Sequence, residues 1–197
     1  SMFTGIIETT GRVEKIIAEG SNKHFWISSS VSNELKIDQS VAHNGVCLTV
    51  VDKQEMRHMV TAVNKTLSIT NLDLLQEGNI VNLERSMPAN GRFDGHIVQG
   101  HVDDIAVCVS VENKNGSWIF EFKINNDTHQ NMMVEKGSIC INGISLTLAE
   151  VKGSHFMVAI IPYTFTHTNI QTIQPGSIVN IEFDILGKYI QKMLAAR

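Results

Sequence analysis

The chain carries much of its own sequence twice, and that duplication limits its possible folds more than any other feature. Displaced by 98 positions, residues 40–84 fall on 138–182 without a gap, with 16 identities in 45 positions; average residue usage would give roughly three. Asn44-Gly45-Val46-Cys47-Leu48-Thr49 falls on Asn142-Gly143-Ile144-Ser145-Leu146-Thr147, and Gly78–Glu84 falls on Gly176–Glu182. The starts of the halves match at a displacement of 95, Thr4–Glu8 against Gln99–Asp103. The three extra residues are assigned to the polar loop Glu112–Gly116 of the second half. Two copies are too few for a solenoid, but each unit is long enough to form its own core. The turn-rich stretch Ser86-Met87-Pro88-Ala89-Asn90-Gly91-Arg92 marks the boundary, giving units 1–92 and 93–185 and a tail 186–197.

Each unit reads mainly as short strands. Thr9–Ile16 alternates in polarity, Cys47–Val51 and Met59–Val63 are rich in β-branched residues, and Ile80–Glu84 is apolar on one face. Asn44-Gly45 and Asn142-Gly143 are hairpin turn signals. Helical turns are expected at Thr70–Gln76 and Thr168–Gln174, where Thr and Asn can cap, and at Asp127–Lys136. Several short strands per unit predict a small closed barrel. The tail differs: Ile185, Leu186, Tyr189, Ile190, Met193 and Leu194 recur at helical spacing. A lone amphipathic helix after two complete barrels finds little core to cover, which favours self-assembly over packing back on its own barrel.

Composition narrows the function. The 197 residues carry a net charge of -4, so a basic nucleic-acid face is not expected. A stacking oligonucleotide binder also sits poorly with 6% aromatics. The apolar runs fall short of the roughly 20 residues that cross a membrane. Three cysteines, Cys47, Cys108 and Cys140, and no recognisable signal peptide predict free thiols in the cytoplasm. No metal signature or phosphate loop is present.

A duplicated scaffold supplies an internal control, because positions that differ between copies are candidates for one-sided chemistry. Ile6 corresponds to His101, Asp38 to Lys136, Cys47 to Ser145 and Ser86 to Asp184. The second half thereby gains an imidazole, an ammonium, a hydroxyl and a carboxylate, the ordinary tools of proton transfer and nucleophile activation. Each also has a structural explanation. A lone histidine is more often structural, Ser145 can bond backbone after a turn, and Lys136 suits a helix end. Cys47 can be a small buried hydrophobe, and Asp184 can cap the terminal helix.

Met2–Ile7, Asn44–Val50, Gly95–Asp103 and Asn142–Thr147, in order and at matching spacing, resemble the riboflavin synthase family over nearly the whole chain. The resemblance implies an all-β fold of two tandem six-stranded Greek-key barrels with a C-terminal helix that holds a homotrimer. It also implies one 6,7-dimethyl-8-ribityllumazine in each barrel, two per active site, with the site lying between the N-terminal barrel of one subunit and the C-terminal barrel of a neighbour. The implied reaction is a dismutation that transfers four carbons between the two molecules, giving riboflavin and 5-amino-6-ribitylaminouracil without an external cofactor. Lumazine synthase, with which some members associate, is a candidate partner.

On this resemblance the expected ligand contacts in the first half are Gly5, Ile6, Ile7, Cys47, Leu48, Thr49 and the strand Thr61, Ala62, Val63, Asn64, Lys65, Thr66. Those of the second are Gly100, His101, Val102, Lys136, Ser145, Leu146, Thr147 and the strand Ala159, Ile160, Ile161, Pro162, Tyr163, Thr164. His101 is expected to move a proton, helped by Ser145 and Thr147. Cys47 is expected to contact or activate the partner ring, Lys136 to stabilise developing negative charge, and Asp184 to orient a neighbour. Non-catalytic lumazine proteins, which bind lumazine or flavin as an optical antenna, share the fold but lose catalytic positions in one half. Here none of those positions departs from the pattern.

Overall fold

The computed structural model describes all residues except Ala89, Arg92 and Phe93. The expected 92/93 boundary and part of its turn-rich stretch therefore lie outside the described residues. Among the described residues, twelve strands form two closed antiparallel barrels. The first contains β1 (Thr9–Glu19), β2 (Asn22–Ser28), β3 (Ser40–His43), β4 (Val46–Gln54), β5 (Arg57–Ala62) and β6 (Ile80–Arg85). The second contains β7 (Asp104–Asn113), β8 (Trp118–Ile124), β9 (Ser138–Ile141), β10 (Ile144–Lys152), β11 (His155–Ile160) and β12 (Ile178–Phe183). The first closes in the order β1-β2-β5-β4-β3-β6, and the second repeats that Greek-key order with the corresponding strands.

Alternation along the strands fills each barrel. In β5 the buried residues are His58, Val60 and Ala62, and in β11 they are Phe156, Val158 and Ile160. Closure also removes the free edges that short strands would otherwise expose. Both Asn-Gly pairs form the β3–β4 and β9–β10 hairpin turns, with positive φ at all four residues (49° and 80°, 47° and 82°) as a type I′ turn requires.

Thr70 and Thr168 cap short 3-10 turns, Asn71–Leu74 and Asn169–Thr172, by accepting the N–H groups of Leu72 and Ile170. Two helices appear where extended chain was expected. The strands thought to run through Thr66 and Thr164 stop at Ala62 and Ile160, and α1 (Asn64–Ile69) and α2 (Pro162–His167) begin two residues later. Pro162 opens α2 where its missing N–H is harmless. The three-residue difference is also not in Glu112–Gly116. The pairings Ala18↔Lys23 and Asn113↔Trp118 keep the displacement at 95 across both hairpins. The extra residues fall between β8 and β9, around the 3-10 turn Asp127–Met132.

The barrels meet through buried amides. Asn71 N–H donates to Asn180 Oδ1 (2.7 Å), and Asn169 N–H donates to Asn82 Oδ1 (2.7 Å). Asn82 Nδ2 donates to the Asn142 carbonyl, and Asn180 Nδ2 to the Asn44 carbonyl, both at 2.9 Å. The duplicated Asn-Gly motifs are therefore hairpin turns and inter-barrel contacts at once.

The first core also holds two histidines where the second has Ile141 and Phe156. His43 Nδ1 lies 3.1 Å from the Val41 carbonyl, which can only accept, so Nδ1 carries the proton. His43 Nε2 then accepts from His58 Nε2 at 2.9 Å, and His58 Nδ1 accepts from the Ser32 hydroxyl at 2.8 Å. Burial lowers His43 to a pKa of about 4; burial and the neighbouring His43 lower His58 to about 3.

The tail forms α3 (Ile185–Ala195), capped by Asp184, which accepts the Leu186 N–H. Lys188 pairs with Asp103 at 2.7 Å. Leu186, Tyr189, Ile190, Met193 and Leu194 remain exposed. No helix among the described residues is long and apolar enough to cross a membrane.

Candidate active site

The segments that precede each barrel exchange places. Phe3 bridges Val98 in antiparallel fashion, and both residues are fully buried between the barrels beside Ala42 and Cys140. From this crossing, residues 4–7 run onto the second barrel. The Ser145 N–H donates to the Gly5 carbonyl (2.7 Å), and Ile7 packs against the second core. Residues 99–102 run onto the first barrel. The Cys47 N–H donates to the Gly100 carbonyl (2.9 Å), and Val102 packs against the first core. Both crossings need glycine. A Cβ on Gly5 would lie 2.6 Å from Ser145 Cβ, one on Gly100 would lie 2.7 Å from Cys47 Cβ, and both residues have φ near +80°.

A buried carboxylate anchors each exchanged segment. Glu84 accepts the Thr4 N–H (2.9 Å), the Thr4 hydroxyl (2.8 Å) and the Gly5 N–H (3.0 Å). Glu182 accepts the N–H groups of Gln99 (2.8 Å), Gly100 (2.9 Å) and His101 (3.0 Å). Burial holds both carboxyls above their ordinary range, opposed by these hydrogen bonds. Neither Glu stood out in the sequence, although their correspondence in the repeat was visible.

The second barrel carries a cavity of about 540 Å³ on its outer wall, lined by Ile6, Ser145, Leu146, Thr147, Ala159, Ile161 and Thr164 among others. All seven are residues expected to touch ligand, and the volume suits a fused-ring molecule. The cavity also has Gly95 in its wall, and beside it His96 Nδ1 lies 2.6 Å from Ser145 Oγ. Burial keeps His96 below the ordinary imidazole range, and the charge of Asp184 opposes that shift. His96 was missed as a site residue because it lies outside the stretches matched at a displacement of 95, Thr4–Glu8 and Gln99–Asp103.

By the repeat, the matching wall of the first barrel presents Cys47, Thr49, Thr61, Val63 and Thr66, with His101 in the place of Ile6. Within one chain, His101 thus lies beside Cys47, on the opposite barrel from the Ser145 and Thr147 with which it was expected to work. Leu48, Ala62 and Ile160 point into the cores, so a ligand outside the wall meets only their backbone. Asn64 and Lys65 are exposed on the first turn of α1, as are Pro162 and Tyr163 on α2, where Tyr163 stacks on His167 at 4.0 Å. Lys136 is exposed with φ of 69°, like Asp38 at 73°; it sits in a turn rather than at a helix end. All three cysteines are free. No cluster of three or more metal-ligating side chains occurs among the described residues.

The lumazine binding domain model matches residues 4–86 and 99–184. Curated relatives agree along the length. Riboflavin synthase of Actinobacillus pleuropneumoniae is 40% identical, covering 98% of this chain and 90% of that protein. Riboflavin synthase of Bacillus amyloliquefaciens is 38% identical with the same coverage. That of Saccharomyces cerevisiae is 35% identical, covering 98% and 86%. Among solved structures, LumP complexed with 6,7-dimethyl-8-(1'-D-ribityl) lumazine superposes with a TM-score of 0.83 at 22% identity, covering 91% of this chain and 98% of that one. LumP complexed with riboflavin gives 0.85 at 23%, covering 92% and 98%. At that identity LumP supports the fold alone, whereas the synthases match in sequence over 98% of this chain, and the chain belongs to the riboflavin synthase family.

Proposed function

We propose that this protein is a riboflavin synthase that binds one 6,7-dimethyl-8-ribityllumazine on each barrel and transfers four carbons from one molecule to the other. The observation that carries this reading is the pair of equivalent outer walls with unequal chemistry. Two copies of one scaffold suit two molecules of one substrate. The substitutions Cys47 for Ser145 and His101 for Ile6 suit the different donor and acceptor roles.

The exchanged segments divide the tools. One wall offers Cys47 and His101, and the other offers Ser145, Thr147 and His96. A site built within one chain would separate His101 from Ser145. A homotrimer that stacks the first wall of one subunit on the second wall of its neighbour would reunite them. The exposed stripe of α3 is the surface on which such a trimer would assemble. The functional units are then 1–92, 93–185 and the trimerising tail 186–197, working in the cytoplasm, with lumazine synthase as a candidate associate.

In such a site His101 would take a proton from the 7-methyl group of one lumazine, whose ring delocalises the carbanion. Ser145, held by neutral His96, would hydrogen-bond the reacting ring, and Cys47 would meet the partner ring. Lys136 would sit near developing negative charge, and Asp184 would tune His96 from the start of α3. Thr49 and Thr147, identical in both copies, suit the shared recognition of the pyrimidinedione edge. Alignment of two rings is the larger contribution, since making such a step unimolecular supplies roughly 7–11 kcal/mol.

The test is to incubate the protein with the lumazine and no added cofactor. Riboflavin formed at half the molar amount of lumazine consumed supports the reading. Tight binding with a spectral shift and no turnover would identify an antenna-type relative instead.

A further inference from the structure

The first barrel contains a polar relay that the second lacks. On neighbouring strands β2 and β5, His24 pairs with Thr61, and His24 Nδ1 lies 2.7 Å from Thr61 Oγ1. On its other side His24 Nε2 lies 2.9 Å from Glu19 Oε1. The matching strand pair in the second barrel is Ile119 with Ala159, and Ala159 lines the cavity there. Thr61 therefore occupies the wall position whose counterpart lines the cavity of the second barrel, and it arrives there already bonded to a histidine.

When His24 is neutral, its two partners set the direction of the bonds. A carboxylate can only accept, so His24 Nε2 carries a proton toward Glu19. In the neutral imidazole Nδ1 is then bare and accepts the Thr61 O–H. That leaves Thr61 presenting lone pairs, not a proton, to whatever lies on the wall. Positions identical in both copies, such as Thr49 with Thr147 and Thr66 with Thr164, suit the ring edge that both barrels must read. An unshared relay suits a part of the ligand that needs reading on only one side. The exposed Glu19 puts the relay at the rim, where a flexible hydroxylated side chain would leave the ring pocket.

We infer that His24 is a positioning residue that makes Thr61 an acceptor for a hydroxyl of the ligand's ribityl chain, so that the first barrel discriminates for that chain more strongly than the second. This rests on the proposed lumazine binding and deepens it. The other ligand donor that could meet Thr61 is the ring N–H, and the test separates the two.

Binding of 6,7-dimethyl-8-ribityllumazine and of its 8-methyl analogue, which keeps the ring and lacks the chain, is measured by fluorescence titration on the full-length protein. His24→Phe is expected to weaken the ribityl ligand about three- to tenfold at one of two sites, the range for one lost hydrogen bond. The methyl analogue should be unaffected. Thr61→Val should give the same loss, and the double variant no more than either alone. His24→Asn, whose Oδ1 can replace Nδ1 as acceptor, should restore affinity, which a merely structural role would not. An equal loss for both ligands, or unchanged ribityl affinity in His24→Phe, overturns the inference and leaves lumazine binding standing. Failure of the wild-type protein to bind either ligand overturns both.

Discussion

Replacing His43 by Ile and His58 by Phe gives the first barrel the residues the second carries at the same positions, Ile141 and Phe156. In the wild type the two imidazoles are neutral, hydrogen-bonded and shut off from water. Their folded-state pKa values, about 4 and about 3, lie below the ordinary 6.5. Below pH 6.5 the unfolded chain therefore takes up protons that the folded chain refuses. The pair's contribution is intact above that value, is lost as pH falls, and stops changing once the folded-state values are passed. For His43 the gap of about 2.5 pH units corresponds to about 3 kcal/mol in full, and at pH 5 to about 2 kcal/mol. His58 can raise the total at pH 5 toward about 4 kcal/mol, less whatever the pair shares. Glu84 and Glu182, held above their ordinary range, act oppositely and gain stability as pH falls. The informative quantity is thus the difference between wild type and double variant.

Each barrel has its own tryptophan, so a Trp118→Phe background lets Trp26 report on the first barrel alone. Urea unfolding at pH 7 and pH 5 should show the wild type losing about 2–4 kcal/mol more than the His43→Ile/His58→Phe protein. Single His58→Phe should fall between them. Equal pH slopes in all three would refute the assignment of two neutral buried imidazoles.

Further outcomes follow from the candidate site. His101→Ala should reduce kcat by about 10²–10⁴ with little change in lumazine affinity, and equal losses in both would sink the proton-transfer role. Glu182→Gln removes a carboxylate that receives three N–H groups; it should lower stability by about 2–4 kcal/mol and cut turnover by loosening the His101 segment. Wild-type turnover in that variant would count against a need for the anchor. Ile190→Asp in the exposed stripe of α3 should reduce the mass measured by sedimentation and abolish turnover together. A small but fully active species would contradict a site completed between subunits.

The sequence by itself carried the duplication, most strand positions, the two Asn-Gly turns, and the apolar stripe of the last helix. These are local or repeated patterns, and alternation or helical spacing records them directly. It also exposed the unequal pairs Ile6/His101 and Cys47/Ser145, because a repeat compares the chain with itself. What it could not hold was which barrel each segment joins. The contacts of Gly5 with Ser145 and of Gly100 with Cys47 join residues distant in sequence, and only the buried Phe3–Val98 crossing with its Glu84 and Glu182 anchors decides them. The same limit hid the His43–His58 pair and the His96–Ser145 bond, since a histidine in a polarity pattern looks alike whether it faces water, another imidazole or a hydroxyl. The extra residues were misassigned to a polar loop because composition marks where an insertion is tolerated, whereas strand register marks where it lies. Tertiary structure settled these points because closing two barrels against each other dictates which distant groups must satisfy one another out of water.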